Sequence, residues 1–311
     1  MSNDIMTVTV GYDGTGSSAE AVRWAADEAS TRGAPLRIVS CFEMPVLSGD
    51  PTGGWGVGDL IEALRSAAVA NVDRIEATVA ASHPELLLAT EVSLGPASSA
   101  ILSGVTLHDL VVVGASGHEG VSAFWLGSTP RHLVRSSPCP VAVIRGAASR
   151  GRPDRVVVGV DGSAGATQAL RWAGDEADRH RTELVIVHAW SYAYSSSEHE
   201  SVTARELTQI DAACTLEGAA ESAREQFGVV VTPILLETSA VSALLDTVRD
   251  GDLLVVGSRG RGAWRSGLFG STVNSVLDVS AVPVIVVGAE LVDEEAHQDR
   301  DRSVEVVGVL T

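Results

Sequence analysis

One glycine frame occurs twice in this chain, in register, and each copy follows a short run of buried-type aliphatic residues. The first copy is VVGASGHEGVSAFWLGST at Val112–Thr129; the second is VVGSRGRGAWRSGLFGST at Val255–Thr272. In both, a Gly is followed by two residues, a Gly, nine residues, and then Gly-Ser-Thr. The positions are Gly114, Gly117, Gly127, Ser128 and Thr129, then Gly257, Gly260, Gly270, Ser271 and Thr272, with extra loop glycines at Gly120 and Gly262. An apolar run ending in such a loop predicts a buried strand, a turn rich in open backbone N–H groups, and re-entry into a helix. Amides converging at a helix start favour an anion, most often a phosphate.

The frame belongs to a larger repeat. VTVGYDGTGSSAEAVRWAADEA from Val8 aligns with RVVVGVDGSAGATQALRWAGDEA from Arg155. Asp13 then matches Asp161, Trp24 matches Trp172, and Glu28 matches Glu176. Within the first copy, aliphatic runs predict strands over 6–11, 36–42, 90–94, 110–114 and 141–144. Helical periodicity lies between them, at the helix after Ser17, over 59–82, over 97–104 and over 128–135. Ser17 followed by Glu20 reads as a capping box opening the first of these helices. In the second copy, Leu184–Trp190, Val202–Phe227 and Val284–Val287 repeat the second strand, the long helix and the last strand. The expected domains are 1–146 and 155–288, joined by a polar linker at 147–154 and followed by an acidic tail over 289–311. Alternating strands and helices predict α/β architecture: two tandem doubly wound domains with parallel sheets. Ligands in that architecture bind at the carboxyl ends of strands, where strand order reverses. Both glycine loops lie at such ends, as do Gly11 with Asp13 and Gly159 with Asp161.

Composition removes several functions. The chain has 311 residues, 45% of them hydrophobic but only 4% aromatic, so its cores are Val, Leu, Ile and Ala. That suits strands buried on both faces. A net charge of −18 argues against nucleic acid and against an anionic membrane surface. All 22 basic residues are arginine. Without lysine there is no Walker-type phosphate loop and no Schiff-base chemistry. Cys41, Cys139 and Cys214 are widely spaced and form no metal or redox motif, and no residue set has side-chain metal-ligand spacing. No apolar run approaches a membrane span and the first residues lack signal-peptide character, so a soluble cytoplasmic protein is expected. GxSxG, HExxH and a GxGxxG dinucleotide fingerprint are all absent.

The two glycine frames, the GYDG and GVDGS segments, the WAADEA and WAGDEA helices, and the closing SSPCPVAVI and SAVPVIVV segments resemble the universal stress protein family in its tandem two-domain form. The glycine frame resembles that of the ATP-binding branch. The resemblance implies a five-stranded parallel sheet of order 3-2-1-4-5 in each domain, an adenine nucleotide alpha hydrolase-like fold. It implies ATP, accompanied by Mg²⁺, between the first and fourth strands. It also implies pairing through fifth strands, within one chain or in a homodimer. Carried over by position, Asp13 and Asp161 would hold the ribose or adenine, beside Gly11 and Gly159. Cys41 and Ala189 would line the adenine with their backbones. The loop positions Gly114, Ser116, Gly117, Gly120, Gly257, Arg259, Gly260, Arg261 and Gly262 would surround the triphosphate. Gly127, Ser128, Thr129, Gly270, Ser271 and Thr272 would complete the phosphate cradle. Asp13 and Asp161 have a second role open to them, as caps of the first helix of each domain.

The two copies differ in charge. Arg259 and Arg261 stand in the second loop, where the first has Ser116 and His118, with Arg265 just beyond them, and Glu119 replaces Gly262. Arginines can partly neutralise a triphosphate without lysine, so tighter ATP binding is expected in the second domain. Hydrolysis needs a positioned water and stabilised transition-state charge, and no general base is fixed by the sequence. The expected protein is an ATP-binding regulator of the stress response, with an unknown protein partner and little or no turnover. A slow ATPase or phosphoryl or adenylyl transferase, and an interaction module with vestigial sites, remain the alternatives.

Overall fold

The structure is a computed structural model, and it describes residues 7–44, 57–115, 126–145, 152–192, 202–258 and 270–288. The N-terminal domain runs β1 (Val8–Gly11), α1 (Gly16–Arg32), β2 (Leu36–Phe42), α2 (Val57–Ser82), β3 (Leu88–Leu94), α3 (Ala97–Leu102), β4 (Leu110–Gly114), α4 (Ser128–Ser136) and β5 (Val141–Ile144). The C-terminal domain repeats it with β6 (Arg155–Gly159), α5 (Ala164–His180), β7 (Glu183–Trp190), α6 (Val202–Gln226), β8 (Val231–Glu237), α7 (Ala240–Thr247), β9 (Leu253–Gly257), α8 (Ser271–Val279) and β10 (Val284–Val287). Of the expected linker, residues 152–154 are described and 147–151 are not; the expected tail, residues 289–311, lies wholly outside the described residues.

Within each domain every strand pair is parallel, and the orders β3-β2-β1-β4-β5 and β8-β7-β6-β9-β10 are the expected 3-2-1-4-5. Strands buried on both faces need aliphatic residues at every position. Val8 and Val10 face one layer, while Val111 and Val113 face the other. One face of the sheet carries α1, α2, α5 and α6; the opposite face carries α3, α4, α7 and α8. β8 accommodates Pro233 because it is an edge strand, where one missing ladder donor is tolerated.

The two domains are joined through their last strands, within the one chain. Val141, Ala142 and Val143 of β5 pair antiparallel with Val286, Ile285 and Val284 of β10. The result is a single ten-stranded sheet, with one antiparallel junction at its centre. Both apolar cores run through that junction into both domains.

A buried charge cluster closes the seam on the α1/α5 side. Arg32 of α1 donates to Glu28 on its own helix and to Glu176 of α5. His180 lies 2.9 Å from Glu176 Oε1 and 3.6 Å from Glu28 Oε2. The Arg32 guanidinium also stands over the Trp172 ring, 5.5 Å from its centroid. Arg32 and His180 hold the Glu28 carboxyl at about 2, against its own desolvation. Both glutamates push His180 up to about 9, despite the cost of burying its charge. Two carboxyl groups therefore face Arg32 and His180, and burial together with Glu28 pushes the Glu176 carboxyl above the usual carboxylate range. Glu28, Glu176 and His180 bring potential metal-ligating atoms within 4.8 Å of one another, but Arg32 already supplies the positive charge there.

The first helix begins differently from the capping-box expectation. Thr15, not Ser17, is the N-cap of α1, and its side chain accepts from Ser18 N. The reason lies just upstream. Gly14 turns the chain at φ +85, and Asp13 Oδ1 accepts from Thr15 N at 3.0 Å and Thr15 Oγ1 at 2.6 Å. That turn starts the helix at Gly16, so Glu20 falls beyond the capping position.

Candidate functional site

Strand order reverses between β1 and β4. β1 leads to α1 on one face and β4 to α4 on the other, so a crevice opens between them at the strands' carboxyl ends. A cavity of about 480 Å³ occupies it. Of the site residues expected in this domain, Gly11, Asp13, Cys41, Gly114, Gly127, Ser128 and Thr129 all line this one cavity. Ser116, Gly117 and Gly120 lie outside the described residues.

The floor of the cavity is the start of α4. Three helices, α1, α5 and α7, have an N-cap side chain that accepts from their own first turn: Thr15, Ser163 and Ser239. The N-cap of α4 is Gly127, which has none, and that of α8 is Gly270, likewise without one. The first-turn amides of α4 are therefore left for another acceptor. Pro130 removes one of those donors, so Ser128 and Thr129, with their hydroxyls, form the donor set. The partial positive charge of the helix end lies behind them.

The glycines at the strand ends have a local reason to be glycines. A Cβ on Gly114 would come within 2.6 Å of Ser17 Oγ and 2.9 Å of its backbone C and O. On Gly257 it would meet Gly165 O at 2.6 Å. Each glycine lets the start of α1 or α5 lie close over the end of β4 or β9. Gly11 similarly makes room for Ile101, whose Cδ1 would be 2.7 Å from a Cβ there. These contacts shape the crevice from beneath, whatever it holds.

Charge in the cavity wall is sparse. Asp13 contributes a carboxylate whose Oδ1 is engaged by Thr15. Arg131 contributes the one cation among the described lining residues. It stands one turn beyond Ser128 on α4, and its Nε donates to Leu126 O at 3.2 Å. Its Nη2 donates to Asp278 Oδ1 of α8, across the domain seam, at 2.5 Å. The glycine frame alone does not single out Arg131, though its spacing of three from Ser128 puts both on one face of the helix. The Cys41 thiol is pushed up by burial and by Glu91 and Glu43, which keeps it protonated and unsuited to nucleophilic work. Cys139 is buried and pushed up to about 11.

The C-terminal domain repeats the backbone plan. Gly159 and Gly257 end β6 and β9, Gly270 caps α8, and Ser271 and Thr272 open its first turn. Asp161 Oδ1 accepts from Ser163 N at 3.0 Å, the counterpart of the Asp13 turn. Ala189 lies on β7, paired with Leu236 of β8. Arg259, Gly260, Arg261 and Gly262 lie outside the described residues.

A tandem pair of doubly wound α/β domains, each with an uncapped helix start at its switch point, defines the class of protein. The chain belongs to the universal stress protein family, whose sequence profile matches residues 5–145 and 153–288. It is similar to the universal stress protein Rv2005c of Mycobacterium tuberculosis, 31% identical over 294 residues covering 90% of this chain and 96% of that one. It is also similar to universal stress protein Rv1996 of the same species, 30% identical over 315 residues covering 90% and 94%. Among solved structures, a universal stress protein from Archaeoglobus fulgidus shares the fold at a TM-score of 0.67 and 18% identity, over 93% of this chain and 99% of that one.

Proposed function

We propose that this protein is a nucleotide-dependent regulator that binds ATP in the switch-point crevice of each domain and hydrolyses it slowly or not at all. The observation that carries this reading is the cavity between β1 and β4. It joins a carboxylate, Asp13, to an uncapped helix start bearing Ser128 and Thr129. Its size falls within the usual range of small-ligand pockets, roughly 300–1,000 Å³. Asp13 has the chemistry to accept from ribose hydroxyls, and the Cys41 backbone to border the adenine. Ser128 and Thr129 offer amides and hydroxyls to phosphate oxygens.

The test is calorimetric titration of the full chain with MgATP, beside the double variant Asp13→Asn/Asp161→Asn. Asparagine keeps an acceptor for the residue two positions on and removes the charge. Loss of a hydrogen bond to a charged group weakens binding on the order of 10- to 100-fold. Turnover well below the ~1 s⁻¹ typical of slow enzymes is expected in the same samples. Unchanged affinity in the variant, or ordinary enzymatic turnover, contradicts the reading.

A further inference from the structure

The cation that an ATP phosphate would meet in the N-terminal crevice is already held by the other domain. Arg131 lines the cavity, yet its guanidinium is bound to Asp278 of α8 at 2.5 Å. We infer that Arg131 exchanges partners, leaving Asp278 for the phosphates of a nucleotide bound in the N-terminal domain, and so couples occupancy of that site to the seam between the domains. This rests on the proposed nucleotide site.

Three observations carry it. First, the N-terminal loop sequence has no arginine where the second has Arg259 and Arg261, so a phosphate in the first crevice has Arg131 as its available side-chain cation among the described lining residues. Second, both partners of the Arg131–Asp278 pair are more than a third exposed, 40% and 36%. Such a pair is held weakly enough to be outcompeted by a multiply charged phosphate. Release of Arg131 does not strand Asp278, because Arg145 also lies in its field and donates to the adjacent Leu277 O at 2.6 Å. Third, the device is built in one direction only. Aligning the two glycine frames puts Asn274 at the place of Arg131 and Arg135 at the place of Asp278. Asn274 and Arg135 cannot form the matching ion pair, so the pseudo-symmetric contact is missing from the second crevice. Linkage makes the effect reciprocal: whatever factor the seam pair subtracts from nucleotide affinity, the nucleotide subtracts from the seam pair.

The experiment uses the full chain in an Asp161→Asn background, so that the N-terminal site dominates the titration. MgATP and adenosine are the probes, and the proteins are the parent, Asp278→Asn, Arg131→Gln and the double variant. Asp278→Asn frees Arg131 and is expected to tighten ATP binding about two- to fivefold, the range of a partly exposed ion pair, while adenosine affinity stays the same. Arg131→Gln is expected to weaken ATP binding about tenfold or more and to abolish the effect of Asp278→Asn in the double variant. Hydrogen exchange gives a second readout: ATP should accelerate exchange in α8 of the parent but not of Arg131→Gln. Equal ATP affinity in the parent and Asp278→Asn overturns the coupling while leaving ATP binding standing. An adenosine shift as large as the ATP shift also overturns it. A parent that binds no ATP overturns the proposed function, and the coupling with it.

Discussion

His180 is charged because of where two glutamates stand. Its pKa is raised from 6.5 to about 9 by Glu176 and Glu28, and a raised folded-state value favours the protonated folded form. That stabilisation is fully present below about pH 6.5 and is lost as the pH rises through about 9. At roughly 1.4 kcal/mol per pKa unit it is on the order of 3 kcal/mol. Glu28, held at about 2, acts oppositely: its contribution is present above 4.5 and lost as the pH falls through about 2. Urea unfolding of the wild type is therefore expected to show a midpoint that falls between neutral pH and about pH 9.5, and His180→Gln to lack most of that slope. Parallel profiles for the two proteins would remove the cluster from the account. At the same scale, Asp13 links turn and site: Asp13→Asn is expected to keep the thermal midpoint nearly unchanged, because Thr15 retains an acceptor, while ATP binding falls.

At the scale of elements, the close approach of α1 to β4 depends on a missing Cβ. Gly114→Ala drives a methyl group into the Ser17 backbone and is expected to cost about 1–3 kcal/mol by overpacking. Gly127 belongs to the same frame, but its nearest neighbour to a built Cβ, Pro130 Cδ, is 3.5 Å away. Gly127→Ala should cost about 1 kcal/mol or less, the typical effect at an N-cap. Thermal unfolding of the two variants checks the contrast; equal losses would refute the packing argument. The duplicated frame made most of this architecture legible in advance. LVVVG at Leu110–Gly114 and VAVI at Val141–Ile144 are strands with the expected bounds, since short aliphatic runs behind Gly or Pro leave little choice. Ser17 misled because Ser-x-x-Glu matches a capping pattern, whereas the backbone turn at Gly14 places the N-cap two residues earlier, at Thr15. Arg131 and Asp278 are 147 residues apart, and no local pattern announces a contact across such a distance. Glu28 and Glu176 did leave a trace, as carboxylates at matching places in the repeat, each on the buried side of its helix.

The molecule as a whole is one sheet made from two domains, and in the proposed account its seam is where binding and stability meet. The β5–β10 ladder and the shared cores hold the domains together on apolar terms; the Glu28–Arg32–Glu176–His180 cluster adds a buried ionic contact between α1 and α5. Arg32→Met leaves two buried carboxylates with His180 alone, and breaking a buried pair in this way costs about 3–5 kcal/mol. Denaturant unfolding should show that loss, with faster hydrogen exchange at Val141–Val143; wild-type behaviour would mean that the ladder suffices. The central claim is that each domain holds an adenine nucleotide over an uncapped helix start. Native mass measurement of the full chain with MgATP tests it most directly. The account predicts a species carrying one nucleotide per domain, lost in Asp13→Asn/Asp161→Asn, and a chain that stays bare at every ATP concentration would contradict it.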